Sequence, residues 1–128
     1  MPFENPYRSP IDDLDILTDA RARIDSESSW VKGRFEDGDR HCLVGALSLA
    51  CGSRSFNVPN RTERRLARLL VRHLPPGTPF WARIRLAPAR QRLMAFNDNC
   101  QTGHGDVVGV LDQTINDLAG RASVPFAA

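Results

Sequence analysis

The stretch Gly38-Asp-Arg-His-Cys-Leu-Val-Gly-Ala-Leu47 sets a lone thiol, Cys42, between a polar turn and an apolar run of small residues. If Asp39 caps a helix here, Cys42 falls in its first turn, where free amide N–H groups and the helix dipole lower a thiol's pKa. A thiolate so placed is the nucleophile of a hydrolase or acyl transferase, provided that an imidazole takes its proton and a third group orients the imidazole. His41 is adjacent in sequence and points about 100° away on a helix. The candidate base is therefore His104, in the loop Thr102-Gly-His-Gly-Asp106, with Asn97, Asp98 or Asp106 to orient it. The competing reading is structural. At about 100° per residue Cys42 shares a face with Ala46, Leu49 and Ala50, and free cysteine usually behaves as a small buried hydrophobe. Gly45 and Ala46 then serve close packing between helices. The apolar face favours the structural reading, so no catalytic residue is assigned.

Cys42, Cys51, Cys100 and His104 could in principle hold zinc, the last two in C-x3-H spacing. Structural zinc sites draw paired ligands from tight knuckles such as C-x2-C, and the sequence has none. It also lacks paired carboxylates, a Gly-rich phosphate loop and a serine elbow, so neither a metal nor a cofactor is expected. The triplet Phe96-Asn97-Asp98 offers another use of polar groups. Phe96 closes an apolar helix face, and Asn97 and Asp98, just beyond the helix end, suit a clamp that joins two helices.

The clearest spatial pattern is basic. On the helical projection Arg64, Arg65, Arg68 and Arg72 fall within about 60° of Arg61, opposite Leu66, Leu69 and Leu70. Residues 61–92 hold nine arginines and one acid, Glu63, whereas residues 1–60 hold ten acids and seven bases. Guanidinium suits planar, bidentate contact with phosphate or carboxylate. Such a stripe fits an anionic macromolecule, either nucleic acid or an acidic protein surface. Arg83, Arg85, Arg90 and Arg92 extend it if the next segments fold alongside. The competing reading is a solvated face, partly neutralised by an acidic first helix.

These groups need elements to hold them. The chain of 128 residues is one domain's worth, and 41% apolar with 25% charged residues is ordinary for a globular fold. No apolar run reaches the length of a bilayer span, and the start, MPFENPYRSPIDD, does not read as a secretory leader. Three widely spaced cysteines fit a reducing cytoplasm better than a disulfide framework.

The pattern predicts an irregular arm over 1–10, a single helical domain over 11–120 and a tail over 121–128. Leu14, Leu17, Ala20 and Ile24 keep helical spacing, with Asp12, Asp13 and Asp15 suited to a helix start. Trp30 to Asp37 reads as a connector anchored by its tryptophan. A second helix is expected over His41–Cys51, stopping at Gly52. A third is capped by Asn60, with Glu63 at capping-box spacing, and ends before Pro75-Pro-Gly77. Residues 79–86 are ambiguous between a strand-like segment and a short helix before Pro88. Helices over 88–97 and 105–119 complete a compact, mainly all-α bundle of about five.

Trp30, Gly33 and Gly38, then Cys42-Leu-Val-Gly-Ala-Leu47, then Phe96-Asn97-Asp98 and Val107 together resemble a bacterial and phage family of small uncharacterised proteins. Its pattern is roughly W-x-x-G, then G followed by C-x-x-G-A-L, then an aromatic-Asn-Asp triplet, then a helix begun by Thr with D/E-V. The likeness covers about residues 14–118. An extra residue between Thr102 and Asp106 shifts the expected cap of the last helix. The resemblance implies no activity; it implies that the tryptophan, the cysteine helix and the Asn-Asp pair form one unit. The sequence thus points to a non-catalytic binding or regulatory module with an arginine face. A thiol enzyme built on Cys42, His104 and Asp98 is one alternative, and a structural or oligomer subunit is another.

Overall fold

The computed structural model describes residues 10–75 and 87–123. Helix α1 (Pro10–Arg23) opens on a proline, whose missing N–H is tolerated in a first turn, and carries Asp12 and Asp13 at its positive end. A short 3-10 turn, Glu27–Ser29, leads to Trp30.

Between Trp30 and the next helix lies an element that the sequence pattern did not reveal. Strands β1 (Glu36–Asp37) and β2 (Arg40–His41) pair antiparallel, with Glu36 opposite His41 and Asp37 opposite Arg40. Gly38 turns the hairpin at φ +63°, a left-handed angle that favours glycine. Strands of two residues are too short to show alternation, which is why residues 30–37 read as plain connector. The hairpin also takes His41 away from the helix expected there. Helix α2 therefore runs Leu43–Cys51, and its cap is Cys42 instead of Asp39. Its end is as read: Gly52 adopts φ +68° and closes it.

Helix α3 (Arg61–Val71) is capped by Asn60, whose Oδ1 accepts the Glu63 N–H at 2.8 Å. Only half of the expected capping box forms. The Asn60 N–H donates to Ser53 Oγ, while the Glu63 carboxylate turns inward to the Ser53 hydroxyl and Arg90. Helix α4 (Ala89–Asp98) keeps Asn97 and Asp98 inside its last turn, not beyond it. Helix α5 (His104–Ser123) begins after Thr102, and the Gly103 N–H donates back to Asp106 Oδ2 at 2.8 Å.

Among the described residues the fold is mainly helical, five helices and one two-stranded sheet in a single compact domain. One apolar cluster spans all five helices, with Leu17, Leu47, Leu66, Leu93, Phe96 and Leu111 at its heart. On α3, Leu66 and Leu70 are fully buried as expected and Leu69 is half-covered; the helix ends at Val71, short of Pro75, so His73 and Leu74, also half-covered, lie beyond it. Helix α1 packs against α5 and α2, and α3 packs against α4. No helix among the described residues is long and apolar enough to cross a membrane. The strand-like segment near 80–86, with Arg83 and Arg85, lies outside the described residues, as do residues 1–9 and 124–128.

Candidate functional site

Two places gather the residues that carry chemistry. The first is a polar knot at the end of α4. Asn97 is fully buried, and burying an amide is costly unless each of its groups is bonded. Its Oδ1 accepts from the Trp30 indole N–H at 2.7 Å and from the Leu43 N–H at 3.1 Å. Its Nδ2 donates to the Val31 carbonyl at 3.1 Å and to Asp98 Oδ1 at 3.0 Å. Two donors and two lone pairs are thereby all used. Asp98 Oδ1 also accepts the Gly33 N–H at 2.9 Å, and Gly33 sits at φ +81°. One side chain thus holds the connector, the start of α2 and the end of α4 together.

Cys42 caps α2 from within this knot. It is 4% exposed, and its Sγ accepts the Gly45 N–H at 3.2 Å. Burial pushes the Cys42 thiol above its usual pKa, outweighing the amide bonds from Gly45 and Val44 that pull it down, and the charge of Asp98 pushes the same way as burial. Ala46 is fully buried behind it. Gly45 serves close approach, but to backbone: a Cβ there would stand 2.1 Å from the Phe35 carbonyl oxygen.

The other members of the thiol reading are elsewhere. The Nε2–H of His104 donates to the Ile24 carbonyl at 2.6 Å, and its ring packs 6.0 Å from the Trp30 ring. Among the described residues no imidazole bonds to Cys42. A cavity of about 110 Å³ touches the thiol, walled by Phe35, Met94 and Asp98. Asp98 is engaged with Gly33 and Asn97. Among the described residues no three His, Cys, Asp or Glu side chains gather to hold a metal ion.

The second place is the outer face of α3. Arg61, Arg64, Arg68 and Arg72 are exposed, and among the described residues no carboxylate forms an ion pair with any of them. Arg65 differs, because its guanidinium clamps the buried carboxylate of Asp13 on α1 at 2.7 and 2.8 Å. The acidic first helix therefore neutralises one member of the stripe through Asp13. Arg64 and Arg68 form one wall of a cleft of about 550 Å³. The first turn of α4, Ala89 to Arg92, forms the other wall, with Pro59, Ala87 and Pro88 between them.

Arg90 fixes the two walls. Its Nε–H donates to the fully buried Glu63 at 2.5 Å, a second N–H donates to the Phe56 carbonyl, and the guanidinium lies 5.2 Å over the Phe35 ring. The cleft was not visible in the sequence, although one clue was present. Glu63 is the single acid among residues 61–92, and a carboxylate buried there requires an arginine to come to it.

The fold and these two places define a small helical domain with a saturated internal polar knot and an open basic cleft. The chain belongs to DUF6197, described as a family of unknown function, which matches residues 8–117. No curated protein and no solved structure matches the chain.

Proposed function

We propose that this is a cytoplasmic, non-catalytic binding module that grips an anionic macromolecule through the arginine face of α3. The observation that carries the reading is the uncompensated series Arg61, Arg64, Arg68, Arg72. These residues stand three or four apart and exposed, with no ion pair among the described residues. Like charges at such spacing destabilise a helix by roughly 0.2–0.5 kcal/mol per pair, and Arg61 sits at the positive end of α3, where a cation is disfavoured. An anionic partner relieves both penalties. Among the described residues Arg65 alone of the five has its compensation, in Asp13, so Arg65 positions α3 while its four neighbours meet the partner. The thiol alternative draws no support from a capped, covered Cys42 whose nominal base is bonded to Ile24.

The test is a titration with nucleic acid and with an acidic polypeptide at several salt concentrations, wild type beside Arg64→Gln/Arg68→Gln/Arg72→Gln. Each lost phosphate contact is expected to lower the slope of log affinity against log salt by about one. Glutamine keeps helix propensity, so helical circular dichroism is expected to be unchanged. Failure of the wild type to bind either polyanion at low salt refutes the proposal, as does binding that the triple variant retains.

A further inference from the structure

We infer that the cleft between α3 and α4 is a nucleotide slot, taking a phosphate ester joined to a planar base, either free or as one unit of a single strand. This rests on the anion-binding reading of α3 and names the ligand chemistry. Its volume of about 550 Å³ lies within the usual range for small-ligand pockets, roughly 300–1,000 Å³. A double helix is a convex rod and cannot enter a pocket of this size, whereas a single nucleotide can.

The walls divide the work. Arg64 and Arg68 stand one turn apart on one wall, exposed and without an ion pair among the described residues. A guanidinium presents a rigid fork of donors that matches phosphate oxygens two at a time. Between the walls Pro59, Ala87 and Pro88, and opposite the arginines Ala89, supply apolar surface against which a flat ring loses water. Gln91 opens on the same cleft, and its amide supplies the donor and acceptor that a base edge requires. An acidic polypeptide would use the arginines and leave the apolar surface unfilled, which is why the observations favour a nucleotide. The slot is also set before the ligand arrives, because the Glu63–Arg90 pair ties the start of α4 to α3 and the Arg90 bond to Phe56 ties it to the loop before α3. A rigid site spends less of its contact energy on ordering.

The experiment titrates adenosine triphosphate, inorganic pyrophosphate, polyglutamate and a short single-stranded oligonucleotide into the wild type at low salt, by calorimetry. The same titrations are run on Arg64→Gln/Arg68→Gln, Arg121→Gln and Gln91→Trp. Gln91 is exposed, so a tryptophan there fills the cleft without changing charge; Gln91→Glu, which sets a carboxylate in the cleft, serves if the tryptophan variant misfolds. The nucleotide is expected to bind the wild type and to lose about a hundredfold or more in affinity in the double variant, since each lost charged hydrogen bond is worth about tenfold or more. Either Gln91 variant should weaken it similarly, whereas Arg121→Gln, on α5 and outside both the arginine face and the cleft, should change it little. Tighter binding of the oligonucleotide than of the nucleotide identifies a strand as the source, and equal or weaker binding identifies the free nucleotide. Pyrophosphate or polyglutamate binding as tightly as the nucleotide overturns the slot, because nothing then reads the base. Salt-sensitive polyanion binding that neither Gln91 variant affects also overturns it, while leaving the arginine-face proposal standing. No binding of any anion overturns both.

Discussion

At position 45 a single methyl group would meet the Phe35 carbonyl oxygen at 2.1 Å, and that oxygen already accepts the Cys42 N–H at 3.1 Å. Backbone cannot yield there as a side chain can, so Gly45→Ala is expected to cost on the order of 1–3 kcal/mol, the range for overpacking, read as a lowered denaturation midpoint. The covered thiol beside it makes a second prediction with a definite sign. Below the ordinary thiol value near 9.0 folded and unfolded chains both keep the Cys42 proton. Above it the unfolded chain releases the proton, while the folded chain, its pKa raised by burial, retains it. The stabilising contribution is therefore complete below about pH 9 and lost as pH rises through the folded value. Wild type should lose stability on alkaline titration more steeply than Cys42→Ala, in matched urea melts at pH 7 and pH 10; parallel curves would show that the thiol is not held back.

At the scale of elements, the Glu63–Arg90 pair joins α3 to α4 with one partner wholly buried. Arg90→Met strands that carboxylate and is expected to cost roughly 3–5 kcal/mol, whereas Glu63→Gln with Arg90→Met should recover part of the loss. Full additivity of the two single changes would show that the pair is not coupled. What could be read from the sequence follows the same scale. Asn60 and Gly52 were legible because a cap is decided within a few residues of chain. The spacing of Leu66 and Leu70 was legible because one face of a helix must be apolar. The hairpin at 36–41 was not, since two-residue strands carry no period, and missing it moved the start of α2 by two residues. The bond from Trp30 to Asn97 joins positions 67 apart. Residue types suggested that Asn97 was a clamp, but nothing in its own neighbourhood named the partner. The arginine stripe was legible as a face, and the cleft beneath it was not, because its second wall comes from another helix.

For the whole molecule, one apolar cluster reaches all five helices, so no helix has a core of its own. Loss of helical circular dichroism and of aromatic near-ultraviolet signal should coincide in one urea transition. Separate midpoints would mean that part of the chain holds together alone.

The buried amide of Asn97 also has a consequence in time. Its four partners come from a stretch near residue 30, the start of α2 and its own helix end, and closing the loop between them requires bringing together chain positions more than fifty residues apart. Loop closure of that length carries its entropic cost before the contacts repay it, which places the knot late on the folding route. Asn97→Ala should then leave the refolding arm of a chevron nearly unchanged and raise the unfolding arm, a φ-value near zero. A slowed refolding arm would place the knot in the nucleus. With the knot closing last, the amide acts as a latch: it governs how long the molecule stays folded more than how quickly it gets there.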